Sequence, residues 1–91
     1  MNVKISTSAR NFMQQKGIKD VTFNLIVLSI VKEIEPVYEA PSDARSFRYF
    51  QVEGCHIFIS REIKILGPLT LDTEGFWKIK RLCLNGATVP I

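Results

Sequence analysis

The sequence has few of the residues by which enzymes and metal centres are most readily recognised. It holds two cysteines and one histidine in 91 residues. It contains no glycine-rich phosphate loop, no HExxH, no GxSxG and no CxxC pair, which excludes the strongest local signatures of nucleotide, zinc and hydrolase sites. Two cysteines are also too few for a disulfide framework, so we expect a reducing, cytoplasmic location.

Long hydrophobic runs are also absent. The longest apolar stretch, LIVLSIV at residues 25–31, is far shorter than the roughly 18 to 20 residues that cross a bilayer. The amino-terminal MNVKISTSARNF lacks the apolar core of a signal peptide. We therefore expect no membrane partner.

What is present fits one small globular domain. Residues 1–91 are 46% hydrophobic and 10% aromatic, which is enough for a single modest core. The formal net charge of +3 is of the size that keeps a small domain in solution, so it gives little reason to expect nucleic acid as a partner.

The segment TSARNFMQQKG predicts a helix. A serine or threonine at positions 6–8 can cap its first turn, and Ala9, Phe12 and Met13 share one face. Gly17 can take the left-handed conformation that ends a helix.

From Asp20 onward β-branched and aromatic residues predominate, and VTFNLIVLSIV is apolar on both faces of an extended chain. This pattern predicts a central strand covered on both sides. Residues 32–46 contain Pro36 and read as a loop with one short extended piece. Further strands are predicted at 47–53, 55–60 and 78–84, with turns at 53–54 and 66–68 and a short helical turn near 73–77. The expected class is α+β: a small, mostly antiparallel sandwich or partly open barrel with one amino-terminal helix.

Three residues are candidate metal ligands: Cys55, His56 and Cys83. Cys55 and His56 are adjacent, and neighbours in a strand point to opposite faces, so they do not easily bind one metal. Cys55 shares a strand face with Ile57 and Ile59, which favours a small core residue. His56 is then expected at the surface. Cys83 lies between two leucines, where a thiol is usually packed and protonated.

A second candidate site lies in FWKIKR, where Trp77 is followed by Lys78, Lys80 and Arg81. Aromatic and basic side chains together are how single-stranded nucleic acid is often bound. The same alternation is expected of any half-exposed strand, with Trp77 and Ile79 facing inward, and we favour that interpretation. The adjacent Cys55 and His56 are expected to point to opposite faces, and the histidine has no visible orienting partner, so we do not expect an enzyme.

Several scaffold patterns resemble a known family. They are I-S-x-x-A at residues 5–9, the Lys16-Gly17 helix end and F-x-V-x-G-x-x-I-F-I at residues 50–59. In this order the chain resembles the HesB-like domain of iron–sulfur biosynthesis proteins, and more closely its small relatives described as CC/Se-motif proteins. The resemblance covers nearly the whole chain and implies the HesB-like fold.

The resemblance also implies chemistry that this sequence lacks. The relatives carry a cysteine pair near the positions of Ser29, Ile30 and Val31, and iron–sulfur carriers of this fold use a CxC near the carboxyl terminus, where this chain has Cys83 alone. We therefore expect a degenerate, non-enzymatic relative of the carriers with an interaction or structural role, no cofactor and an unknown protein partner. Two alternatives stay open: an iron–sulfur or metal carrier using Cys83, with Cys55 or His56, in a homodimer, and a single-stranded nucleic-acid-binding module.

Overall fold

The computed structural model describes residues 2–90, which form one α-helix and seven strands. In chain order these are β1 (Val3–Ile5), α1 (Thr7–Lys16), β2 (Asp20–Leu28), β3 (Val31–Val37), β4 (Phe47–Val52), β5 (Cys55–Ser60), β6 (Lys64–Glu74) and β7 (Arg81–Thr88). Single turns of 3-10 helix lie at Ala44–Ser46 and Trp77–Ile79.

The helix α1 has the start, face and end that its sequence predicts. The Ser6 side-chain oxygen accepts a hydrogen bond from the Ala9 N–H at 3.1 Å and so caps the first turn. Ala9, Phe12 and Met13 are buried. Gly17 takes the left-handed conformation at φ 67° and ends the helix.

The strands form two sheets, in the orders β1-β6-β7 and β3-β2-β5-β4. Three of the strand pairs are antiparallel, and two pairs, β1 with β6 and β2 with β5, are parallel. The sheets do not close into a barrel. The predicted α+β class, with mostly antiparallel strands in a small sandwich-like arrangement and one helix, is confirmed.

Both sheets and α1 contribute to one apolar core. Val21 and Phe23 of β2 are fully buried, as are Ile57 and Ile59 of β5. From the other sheet the fully buried side chains are Leu69, Leu71 and Leu82. The first half of β2 is therefore the covered, central strand that the sequence predicts.

The prediction that the whole of LIVLSIV is buried is wrong. β2 pairs with β5 only as far as Phe23 opposite Ile59, whereas its pairing with β3 continues to Leu28 opposite Val31. Residues 24–35 therefore form a two-stranded hairpin that extends past the pairing with β5. Four apolar side chains near its turn, which we call the hairpin tip, are exposed: Val27 (60%), Leu28 (53%), Ile30 (95%) and Val31 (51%).

The region predicted as a loop contains β3. Pro36 lies within this strand, opposite Phe23. β3 is at the edge of its sheet, where a proline is tolerated because half of the strand's N–H groups have no partner strand.

The last strand begins later than predicted, at Arg81. Residues 77–79 form a 3-10 turn, and the side chains of Trp77 and Ile79, predicted to face inward, are exposed. The predicted turn at 53–54 is confirmed between β4 and β5. Residues 66–68, predicted as a turn, lie inside β6, where its pairing with β7 shifts register.

Candidate functional site

Cys55 and His56 lie on opposite faces at the start of β5. Cys55 packs against the core. His56 stacks on Tyr49, with ring centroids 5.8 Å apart, and its Nδ1 shares a hydrogen bond with the Tyr49 hydroxyl. The two neighbours therefore cannot converge on one ion, as strand geometry predicts.

Cys83 lines a cleft between the two sheets. β3 and β7, each at the edge of its sheet, lie side by side, and the cleft between them has a volume of about 370 Å³. Lys32, Glu33 and Ile34 line it from β3, opposite Arg81 and Cys83 from β7. One cysteine thus faces a cleft beside the hairpin that is lined by both apolar and charged residues.

The surroundings of Cys83 keep its thiol protonated. Burial raises its pKa because a thiolate loses solvation there, and the carboxylates of Glu74 and Asp72 raise it further. Arg81 opposes this rise, but it is bound to Glu74. Burial likewise raises the pKa of the Cys55 thiol, with Glu53 and Asp20 adding to the effect. Both roles of a cysteine, metal ligand and nucleophile, use the thiolate, which these surroundings disfavour.

The three candidate ligands are not assembled into a site by one chain. Cys55 and His56 belong to the four-stranded sheet and Cys83 to the three-stranded sheet. Within residues 2–90, no group of three or more His, Cys, Asp or Glu side chains is arranged to hold a metal ion.

The hairpin tip lies at the position where the resemblance places a cysteine pair. Its two-residue turn is Ser29 and Ile30, and Ser29 adopts a left-handed conformation at φ 58°. Sequence analysis missed this hairpin because turns of this kind are usually signalled by glycine or asparagine. Residues 27–31 offer apolar surface and no Cys, His, Asp or Glu side chain.

The four candidate nucleic-acid residues do not share one environment. Trp77 is 83% exposed, and the Lys78 ammonium lies 5.8 Å from its ring centroid. Lys80 is half-buried, and Arg81 forms an ion pair with Glu74. Sequence analysis missed the exposure of Phe76 and Ile79 in the same turn; Gly75, just before them, was the available signal.

Comparison with known proteins places the chain in a family. The profile of the CC/Se motif containing family matches residues 1–87. The chain belongs to this family. A comparison with curated proteins finds no match for this family member.

Among solved structures, this CC/Se family member is similar to SufA of Escherichia coli, a protein involved in the biosynthesis of iron–sulfur clusters. The two chains superpose with a TM-score of 0.54 at 9% sequence identity, over 93% of this chain and 80% of SufA. At this identity the likeness shows the fold alone, and it confirms the HesB-like fold.

The family name describes a motif that this member does not form. Its two cysteines are free and lie on different sheets. In the part of the chain that the structure describes, no helix is long and apolar enough to cross a membrane.

Proposed function

We propose that this protein is a non-enzymatic member of the CC/Se family that acts in iron–sulfur cluster assembly by binding a protein partner, without carrying a cluster itself. The observation that carries this proposal is the exposed hairpin tip, where apolar side chains occupy the positions expected for the cysteine pair. We infer the process from the fold shared with SufA, which is involved in the biosynthesis of these clusters.

The cysteine chemistry supports a scaffold over a carrier. Iron–sulfur clusters are held by several thiolates. Here each candidate sulfur has a raised pKa, and the two sulfurs lie on separate sheets. A carrier would need the Cys83 thiolates of two copies of the chain. Each would have to form although Glu74 and Asp72 raise the pKa of Cys83.

The arrangement of nucleophiles and bases supports a non-enzymatic role. The one histidine, His56, is engaged with Tyr49 and lies on the sheet face opposite Cys55. Cys83, on the other sheet, is flanked by carboxylates that disfavour its thiolate. Nucleophilic catalysis needs such groups in hydrogen-bond contact.

The hairpin tip has the character of a protein contact. Contiguous exposed apolar side chains are costly to hydrate and commonly mark binding surfaces. The Ile30 side chain is 95% exposed and is not part of the apolar core. The free thiols agree with a cytoplasmic location, which we include in the proposal.

Reconstitution with iron and sulfide tests the proposal that the protein does not carry a cluster. The protein and its Cys83→Ala variant would be purified without oxygen, incubated with iron and sulfide, and weighed by native mass spectrometry. We expect both to keep the mass of the polypeptide alone, because the raised pKa of Cys83 disfavours the thiolate. A retained cluster mass that is lost in Cys83→Ala would contradict the proposal and establish the carrier alternative.

The same spectra report whether the hairpin tip is covered by a second copy of the chain. The proposal of a different protein as partner predicts a monomer. A dimer that reverts to a monomer in Ile30→Lys would show that the tip binds another copy. Leu66→Lys, at an exposed leucine of β6, is the matched control.

A further inference from the structure

A second exposed apolar surface lies in residues 75–80, which we call the aromatic loop. It connects β6 to β7 and carries three large apolar side chains in the open: Phe76 (76% exposed), Trp77 (83%) and Ile79 (71%). Exposing three such side chains to water costs free energy, and an exposed apolar patch of this kind indicates a binding surface.

The loop is held in shape by its own backbone. The Ile79 N–H donates to the Phe76 carbonyl at 3.3 Å, and the Lys80 N–H donates to the Trp77 carbonyl at 3.2 Å. Gly75 has φ +74°, and a Cβ there would lie 2.8 Å from the Ile79 carbonyl oxygen, so only glycine fits.

Trp77 itself is held in an unfavourable backbone conformation. Its φ is 59°, a region that bulky residues rarely occupy. Below the loop, the ion pair between Glu74 and Arg81 joins the ends of β6 and β7. The chain thus maintains a strained turn that projects an indole into solvent, a combination found mainly at functional positions.

Two lysines, Lys78 and Lys80, belong to the same loop as the apolar side chains. Lys78 lies between Trp77 and Ile79 in the chain, and its ammonium lies over the indole ring. Lys80 follows at the base of the loop. The loop therefore combines three exposed apolar side chains with two positively charged ones.

We propose that the aromatic loop docks the protein onto anionic lipid bilayers. Tryptophan favours the headgroup region of a bilayer because its ring is apolar while its indole N–H stays hydrated. Phenylalanine and aliphatic side chains are common on the apolar face of segments that lie in this region. Lysines beside them are attracted to anionic headgroups on the cytoplasmic leaflet. A fluid bilayer also accepts three side chains projecting from a tight turn without the shaped pockets that a protein receptor would need.

This docking is compatible with the short apolar runs of the sequence. The expectation of no membrane partner rested on the absence of a segment that could span a bilayer. A loop that enters only the headgroup layer needs no such segment.

Nucleic acid fits the aromatic loop less well than an anionic bilayer does. Binding of a single strand needs a positive groove along the backbone and free aromatic faces for the bases. Here Glu74 neutralises Arg81, and Glu33 and Glu35 lie close enough to raise the pKa of its guanidinium. Ile79 has no ring to stack on a base.

The aromatic loop and the hairpin tip are separate surfaces. Lys32, near the hairpin turn, donates to the Pro90 carbonyl, whereas Tyr38, past the other end of β3, accepts from the Leu82 N–H at 3.1 Å. The hairpin tip therefore lies near the carboxyl end of β7 and the aromatic loop near its start. Lipid docking is independent of the proposed function at the hairpin tip.

Trp77 provides a direct test because it is the only tryptophan in the chain. Its fluorescence would be recorded with vesicles of phosphatidylcholine alone and with vesicles containing phosphatidylglycerol, and binding would be quantified by co-sedimentation. We expect a blue shift and co-sedimentation with the anionic vesicles, and a marked decrease in binding at high salt.

Variants separate the apolar from the charged contribution. Phe76→Ser with Ile79→Ser keeps the fluorescent reporter and should abolish the blue shift, whereas Leu66→Ser, at an exposed leucine outside the loop, should not change it. Lys78→Gln and Lys80→Gln should each weaken binding about fivefold. Lys4→Gln on β1 is the control for net charge. Circular dichroism of each variant confirms that it is folded.

Three results would overturn the proposal. They are an unshifted spectrum with no co-sedimentation, equal binding to neutral and anionic vesicles, and a Leu66→Ser variant as defective as the loop variant. Quenching of Trp77 by oligothymidylate, without any response to vesicles, would instead assign the loop to nucleic acid.

Discussion

At the scale of single residues, Gly86 shows how the irregular part of β6 is accommodated. The pairing of β6 with β7 shifts register between Ile65 and Thr70, and the backbone at Pro68 passes directly over Gly86. Gly86 has φ +93°, and a Cβ there would lie 2.2 Å from the Pro68 carbonyl oxygen. Both the backbone angle and the missing side chain are therefore required.

We expect Gly86→Ala to lower the free energy of unfolding by more than about 2 kcal/mol, since it adds a backbone clash to an unfavourable φ. Gly67→Ala is a matched control, because Gly67 has no atom within 4 Å of a built Cβ and is not at positive φ. It should change stability by less than about 0.5 kcal/mol. Urea unfolding of both variants measures the difference, and equal stabilities would contradict the account of Gly86.

At the scale of elements, α1 was predictable and the β2–β3 hairpin was not. The helix carries local signals at both ends, Ser6 and Gly17, and one apolar face between them. LIVLSIV has a strand pattern throughout, but alternation of side chains does not reveal where the neighbouring strand stops. β5 ends at Ser60, one residue after Ile59, the partner of Phe23. The end of this pairing is therefore determined by residues more than thirty positions away from β2 in the sequence.

The prediction for the aromatic loop was wrong for a related reason. Residues 76–81 alternate apolar and basic residues at the period of a strand, which predicts that the last strand begins at residue 78 and that Trp77 and Ile79 face inward. The 3-10 turn and the positive φ of Trp77 instead depend on the turn that begins at Gly75. The separation of Cys55 from Cys83 likewise follows from strand order, which one sequence does not specify.

The hairpin should open more readily than the rest of β2. Residues 20–23 pair with β5, and residues 22 and 23 pair with β3 as well, whereas residues 24–28 pair with β3 but have no pairing with β5. We expect amides of residues 26–31 to exchange with solvent much faster than those of residues 21–23, because local opening of the hairpin exposes little buried surface. Hydrogen exchange followed by NMR measures this. Uniform protection along β2 would mean that the hairpin opens only on global unfolding.

At the scale of the whole molecule, the two sheets and α1 depend on one core. Phe23 on β2 and Leu82 on β7 belong to the same cluster of buried side chains, together with Phe12 on the helix. The hairpin tip lies outside that cluster. The chain therefore divides into a core that determines stability and a projecting segment that contributes little to it.

Two truncations to alanine test this division. Phe23→Ala should lower the free energy of unfolding by about 3–5 kcal/mol, because it removes a fully buried aromatic ring. Ile30→Ala, at a side chain that is 95% exposed, should change it by less than about 0.5 kcal/mol. Thermal unfolding of both variants provides the comparison. A large loss in Ile30→Ala would show that the tip packs against the rest of the molecule.

The projecting hairpin has a consequence for how this family can diverge. Because Ile30 and its neighbours at the tip contribute so little to the core, substitutions there do not have to be compensated elsewhere to preserve folding. A lineage can therefore acquire, lose or replace the chemical groups at this turn one mutation at a time while the protein remains stable. The turn at which the resemblance places the cysteine pair is thus a part of the chain where sequence can change at little cost to folding.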